Sequence, residues 1–315
     1  DKDGKDRTAV CCLSSVNLEN YLEWESHPTF IEDCLRFLDN VLSDFIKTAP
    51  DSMSRARYAA MRERSVGLGV MGFHSFLQSQ QIPFEGVMAK VWNKRMFKHI
   101  KKEADKASIT LADERGPCPD AAEYGIHERF SNKIAIAPTA SISIICGGAS
   151  PGIEPVAANV YTHKTLSGSY PVRNPYLADL LDKHGQNNDD VWSSITVNGG
   201  SVQHLDFLSQ EEKDVFKTAF ELDQRWIIEH AADRTPFICQ AQSLNVFLPA
   251  DVHKRDLHQI HWQAWKKGVK SLYYCRSMSI QRAESGEGAA KAAAKASKAA
   301  PKDNPNNGEE CLACQ

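Results

Sequence analysis

The chain has 315 residues, 42% hydrophobic and 24% charged, the balance of a globular protein with apolar material for one large domain or two modest ones. Its formal charge of -3 argues against broad, salt-sensitive contact with nucleic acid, while leaving room for a local basic pocket that takes a phosphorylated small molecule. No run approaches the ~18 apolar residues of a membrane helix and no signal peptide opens the chain, so neither membrane nor direct nucleic-acid binding is expected, and the setting is read as cytoplasmic.

His27-Pro28 opens an amphipathic segment with Ile31, Cys34, Leu35, Leu38, Val41, Leu42 and Phe45 at helical spacing, stopped by Pro50. A second helix is predicted over Arg55 to Arg64, followed by the glycine-rich stretch Ser65 to Phe73, whose small residues suit close packing. A long helix is predicted from about Glu85 to Ala112, ended by Gly116-Pro117. Lys133 to Ala137 is a β-prone run broken by Pro138, ahead of a hydroxyl-rich stretch and the turn-rich Gly147 to Pro155. Ser209 and Glu212 form a capping box before a helix expected to carry Val215, Phe216, Ala219, Phe220, Trp226 and Ile227. Ser243 to Leu248 reads as a buried strand, Asp251 to Lys267 as a helix and Val269 to Tyr274 as a final strand, closed by Tyr273-Tyr274. Strands alternating with helices of this length give an α/β class. From Glu284 to Glu310 an Ala/Lys run gives way to Pro, Asn, Gly and acidic residues with nothing to bury. The chain thus divides into a folded part over 1–283 and a flexible tail over 284–315.

The nine cysteines are odd in number and unevenly spread, unlike a secreted disulfide framework. Cys34, Cys146 and Cys239 lie in apolar segments and read as small core residues. Cys311 and Cys314 form a C-x-x-C at the end of the tail, a pattern suited to redox exchange or to two ligands of a zinc site. Zinc sites normally want four protein ligands, and no second pair of suitable spacing stands nearby, which favours exchange. A thiolate attacks a disulfide only within reach, and the tether from Tyr274 gives an r.m.s. span of roughly 30–36 Å. Cys11-Cys12, in a largely apolar surrounding, fits a partner disulfide and fits an inert buried thiol equally well. Hydroxyls and backbone N–H groups of Pro138 to Ser143 after a strand can hold phosphate, or can simply cap a helix.

Ala9-Val10-Cys11-Cys12-Leu13-Ser14, Gly67 to Phe73, Pro138-Thr139-Ala140-Ser141, Gly152-Ile153-Glu154-Pro155, Leu166-Ser167-Gly168, Lys270 to Tyr274 and the terminal C-x-x-C are each modest signals. In this order and spacing they resemble the large subunit of class I ribonucleotide reductase, over the chain from about Thr8 to Gln315. The resemblance implies the C-terminal part of a ten-stranded α/β barrel, with an open edge unless paired. It also implies reduction of ribonucleoside diphosphates to deoxyribonucleotides by radical chemistry. Tyr273 and Tyr274 would pass a radical inward, Cys11 would be one member of the active-site dithiol, and Thr139, Ala140, Ser141, Ile142 and Ser143 would form the loop that holds the substrate diphosphate. Cys311 and Cys314 would re-reduce the site and be reduced by thioredoxin or glutaredoxin. Cys12 occupies a position without an implied role.

No cofactor is expected in this chain; the metal-radical cofactor belongs to a separate small subunit. The family's thiyl cysteine, its neighbouring Glu and Asn, its other reducing cysteine and its effector-binding helices lie upstream of Cys11. The chain starts at Asp1 rather than Met, so the expected partner is the missing N-terminal half, as a separate chain or as unrecorded sequence. Two other readings stay open: an adenosylcobalamin-dependent reductase, which needs no tyrosine relay, and a non-catalytic module carrying a tethered dithiol.

Overall fold

The computed structural model describes residues 2, 4–165 and 168–277. Strand β1 (Leu13–Asn17) leads through a short turn into α1 (Tyr21–Trp24) and the long α2 (Phe30–Thr48). Ile31, Leu35, Leu38 and Leu42 recur at the helical period on α2 and are all buried. After Pro50, α3 (Ser54–Glu63) ends on Arg64 in the left-handed conformation, at φ 42°. The glycine-rich stretch becomes β2 (Gly67–Met71), every residue of which is buried, and runs into α4 (Phe73–Ser79). Helix α5 (Val87–Arg115) crosses behind the strands on a stripe of Ala89, Met96, Phe97, Ile100, Ala104 and Leu111. It stops at Gly116, whose φ of 82° no L side chain takes readily, and the following Pro117 could not continue the helix.

The strands form a run of parallel segments. β1 pairs with β2 from Leu13↔Gly67 to Asn17↔Met71. β2 then meets the Lys133–Ala137 segment through a parallel bridge, Leu68↔Ile134, and that segment meets the next through Ile136↔Gln242. The chain between them carries α6 (Pro119–Ala122) and, beyond the third segment, α7 (Ile142–Ile145). Past Gln242 the fourth segment becomes β5 (Val246–Leu248), paired in parallel with β6 (Cys275–Ser277). One buried apolar cluster joins α2, α4 and α5 to the outer faces of these strands and to α11 (Gln224–Arg234) and α12 (Lys254–Lys266). Parallel strands covered by helices are the half-barrel arrangement implied by the sequence.

A second, smaller core sits on an excursion absent from the sequence reading. An antiparallel hairpin, β3 (Val160–Thr165) and β4 (Gly168–Arg173), leads to α8 (Pro175–Lys183) and α9 (Asp189–Val197). Leu177, Leu181, Trp192, Ile195 and Phe216 pack together there. No helix among the described residues is long and apolar enough to cross a membrane.

Three expectations are corrected. The capping box of Ser209 and Glu212 forms, but its helix α10 (Gln210–Val215) stops early. Thr218 N–H and Oγ1–H donate to the Glu221 carboxylate at 2.7 and 2.9 Å, and Ala219 N–H donates to the Val156 carbonyl, so the backbone turns and restarts at Asp223 as α11. The final strand starts later than Val269, because Val269 N–H closes the end of α12 on the Ala264 carbonyl and pairing begins only with Tyr273 N–H on Leu244. Cys146 and Cys239 are exposed rather than core, and Cys34 is half-buried. Cys239 Sγ accepts the backbone N–H groups of Lys133 and Ile134, both at 3.1 Å, which holds it at the strand ends and out of the apolar core.

Candidate functional site

Cys11 and Cys12 differ because neighbouring side chains of an extended chain point to opposite faces. Cys12 is buried among the helices, its Sγ donating to the Leu38 carbonyl at 3.6 Å, and burial pushes its thiol up. Cys11 is exposed, on the same alternation as Leu13, which keeps 45% of its surface open. The glycines of β2 make space on that face. A Cβ at Gly67 would lie 2.5 Å from Leu13 Cδ2, and one at Gly69 would lie 2.4 Å from the Ala135 carbonyl oxygen.

Tyr273 and Tyr274 open the last parallel segment rather than close it. Their ring centroids lie 4.1 Å apart at an interplanar angle of 50°, and both remain partly exposed, at 39% and 47%. Two backbone links set their place: Tyr273 N–H donates to the Leu244 carbonyl at 2.8 Å, and the Tyr274 carbonyl accepts Val246 N–H at 2.9 Å. Tyr274 N–H is held by a side chain, Asn245 Oδ1, at 2.9 Å. The Arg276 guanidinium lies 5.9 Å from the centre of the Tyr274 ring.

The hydroxyl-rich loop follows the third parallel segment. Thr139 stands at φ 55°, a region that L residues rarely occupy, and α7 begins three residues later. Its hydroxyl is engaged within the protein: Gly152 N–H donates to Thr139 Oγ1 at 2.6 Å. Ser143 is buried, with its N–H on the Thr139 carbonyl at 3.0 Å. Ala140 is half-buried, while Ser141 and Ile142 are exposed. The donors the loop can offer outward are therefore the Ser141 hydroxyl and the backbone N–H groups of Ala140 to Ile142, which precede the first i−4 bond, that of Ser143. Thr139 and Ser143 shape the loop.

The structure thus puts Cys11 at the start of the first parallel segment, the loop after the third and the tyrosine pair at the start of the last. Cys311 and Cys314 lie outside the described residues, as do Leu166 and Ser167. Sequence reasoning singled out neither Asn245 nor Arg276 and gave Glu154 no role of its own. Glu154 is only 6% exposed. Burial pushes its carboxyl up to about 7, against the pull of Arg276 and of Asn245. The signal available in advance was a lone acidic residue inside the turn-rich Gly152 to Pro155.

The ribonucleotide reductase barrel domain family matches residues 2–124 and 120–275. The chain is 50% identical over 282 residues to the ribonucleoside-diphosphate reductase large subunit of Invertebrate iridescent virus 6, covering 88% of this chain and 29% of that protein. It is 43% identical over 277 residues to the subunit of the same name from Invertebrate iridescent virus 3, covering 87% and 44%. Among solved structures, the class Id ribonucleotide reductase alpha subunit of Actinobacillus ureae superposes with a TM-score of 0.81 at 40% identity, over 87% of this chain and 51% of that one. The chain spans about half or less of each of these proteins. It belongs to the barrel-domain family of ribonucleotide reductase large subunits.

Proposed function

We propose that this chain forms the radical-receiving and thiol-reducing part of a class I ribonucleoside-diphosphate reductase, acting in the cytoplasm with the rest of a large subunit and with a radical-generating small subunit. The observation that carries the reading is the contact between Tyr273 and Tyr274 at the start of the last parallel segment. Two phenols in ring contact, each with an exposed edge, suit the movement of an electron and a proton between a partner surface and the barrel interior. An adenosylcobalamin-dependent reductase has no use for such a pair.

In this reading Cys11 supplies one thiol of the dithiol that reduces the 2′ carbon. Its sulfur and that of a second cysteine give up two electrons and two protons, the hydroxyl leaves as water, and the sulfurs join as a disulfide. Exchange with Cys311 and Cys314 breaks that bond and moves the disulfide to the tail, where thioredoxin or glutaredoxin reduces it. Ser141 and the backbone at Ala140 to Ile142 hold the diphosphate by N–H and O–H donation, as oriented donors at a helix start do.

The test is ribonucleoside-diphosphate reduction by the complete large subunit with its small subunit. Cys11→Ser should stop multiple turnover whatever the reductant. Cys311→Ser and Cys314→Ser should lose thioredoxin-driven turnover but keep turnover driven by a small dithiol. Full activity in Cys11→Ser would overturn the assignment.

A further inference from the structure

The contact between the Tyr273 and Tyr274 rings needs an explanation in the backbone. Neighbouring residues of a regular strand point to opposite faces, yet these two ring centroids lie 4.1 Å apart. The paired strand β6 starts only at Cys275, and Tyr274 N–H goes to a side chain, Asn245 Oδ1 at 2.9 Å, rather than to a carbonyl of the ladder. Among the described residues the last segment makes no backbone hydrogen bond to its neighbour before Tyr273. The ladder therefore does not fix the approach of the two tyrosines to the sheet.

Lys270, three residues before Tyr273, supplies an anchor. Its Nζ donates to the carbonyls of Ile238, Cys239 and Gln240 at 2.9, 2.7 and 3.0 Å, one for each N–H of an ammonium. No backbone N–H among the described residues takes these carbonyls, so the lysine is their donor. The backbone it grips is itself held. Cys239 Sγ accepts the N–H groups of Lys133 and Ile134, Gln240 N–H donates to the Ile134 carbonyl at 3.1 Å, and Gln240 Nε2 donates to the Val66 carbonyl at 2.8 Å. Leu272, between Lys270 and Tyr273, packs against the main core. One side chain thus ties the tyrosine segment to the backbone that leads into the second, third and fourth segments.

We propose that Lys270 is a positioning residue for radical transfer: its ammonium, clasped by the carbonyls of Ile238, Cys239 and Gln240, sets the register in which Tyr273 and Tyr274 reach the sheet, and with it their ring contact. This rests on the reading of the two tyrosines as a radical relay. An exposed lysine paired with a mobile carboxylate fixes little, because both side chains can swing away. Here the acceptors are backbone, and charge-assisted bonds to three of them leave the ammonium one place to sit. A slip of one residue would turn each tyrosine to the other face. Asn245 Oδ1 on the Tyr274 amide holds the same register from the far side of the pair.

The experiment compares complete holoenzyme carrying Lys270→Met, Lys270→Arg or Tyr273→Phe with the unaltered enzyme, measuring kcat, KM for the diphosphate, affinity for the small subunit and the thermal unfolding midpoint. Lys270→Met should lower kcat roughly ten- to hundredfold, with KM, small-subunit affinity and midpoint little changed. Lys270→Arg, which keeps the charge and the N–H donors, should recover most of the rate. A lysine that only stabilised the fold would lower the midpoint and leave kcat of the folded enzyme alone. Lys270→Gln, too short to span the three carbonyls, decides the matter should Lys270→Met fail to fold. Tyr273→Phe should be inactive. A kcat like the unaltered enzyme's in Lys270→Met, or in Lys270→Gln in its place, beside an inactive Tyr273→Phe, would overturn the inference and leave the relay standing. So would a loss that follows weaker small-subunit binding, or one that Lys270→Arg does not recover. An active Tyr273→Phe would overturn the relay and the inference with it.

Discussion

The wholly buried carboxylate of Asp39, on α2, accepts the Arg129 guanidinium through Nε at 2.9 Å. Arg64 Nε at 2.8 Å and Arg115 Nη1 at 2.7 Å complete a set of three arginines on one acid. Burial alone would push this carboxyl up, but the hydrogen bonds and charges of Arg129, Arg64 and Arg115 hold it below the usual carboxylate range. The cluster ties α2, the end of α3, the end of α5 and the approach to the third parallel segment into one block behind Cys12. Asp39→Asn leaves the buried guanidinium groups of Arg64 and Arg129 uncompensated and should cost about 3–5 kcal/mol of stability, measured by urea denaturation. A loss below about 1 kcal/mol would show that the arginines find other partners.

Gly69 is the tightest point between the second and third segments, since a Cβ there would lie 2.4 Å from the Ala135 carbonyl oxygen. Backbone cannot rotate away as a side-chain tip can. Gly69→Ala should therefore destabilise the fold by about 1–3 kcal/mol, and thermal unfolding measures it. A variant as stable as the parent would mean that the segments separate freely.

Cys11 and Cys12 should react at very different rates in the folded protein. Cys11 is exposed, whereas Cys12 is buried and its thiol is pushed up by that burial. Brief treatment with iodoacetamide followed by peptide mass analysis should find the label on Cys11 well before Cys12, and at equal rates once the protein is unfolded. Equal rates in the folded protein would contradict the face assignment.

Two histidines and Glu154 set the acid behaviour in opposite senses. His74 accepts Val156 N–H at Nδ1 and His230 meets the Phe84 carbonyl at Nε2, both buried. Burial lowers them to about 3 and about 4. Unfolded histidine takes up protons below its ordinary value, and the folded form does not, so stability falls as pH drops from 6.5. Glu154, raised to about 7, does the reverse: the folded form keeps a proton that the unfolded chain releases between pH 4.5 and 7. From pH 7 to 5 each histidine removes roughly 2 kcal/mol and Glu154 returns roughly 2 kcal/mol. Glu154→Gln should thus lose stability more steeply than the parent over that interval, as read from urea midpoints. A parallel pair of curves would contradict the buried state of this carboxyl.

The helices were legible because their buried faces repeat at a fixed period. Ile31, Leu35, Leu38 and Leu42 announce α2 without help from the rest of the fold, and Gly116-Pro117 marks where α5 ends. The parallel segments were harder. Gly67–Met71 is buried on both faces, so it shows no alternation, and its glycines serve the approach of Leu13 and the Ala135 backbone. The break after Val215 depends on Glu221 and on the Val156 carbonyl, partners that no local pattern reveals. At the candidate site, Cys11, the loop and the tyrosines were legible through order and spacing of short motifs. Glu154, Asn245 and Arg276 come together only through the fold, across a separation of more than ninety residues between the first two.

The most direct test of the radical-relay reading is Tyr273→Phe in the complete large subunit, assayed with its small subunit for ribonucleoside-diphosphate reduction. The ring remains, so packing against Tyr274 should survive, and only the phenolic oxygen is removed. The relay predicts that the variant folds, binds the small subunit and forms no deoxyribonucleotide. Product formation at the parent's rate would contradict it and leave the tyrosine pair as packing alone.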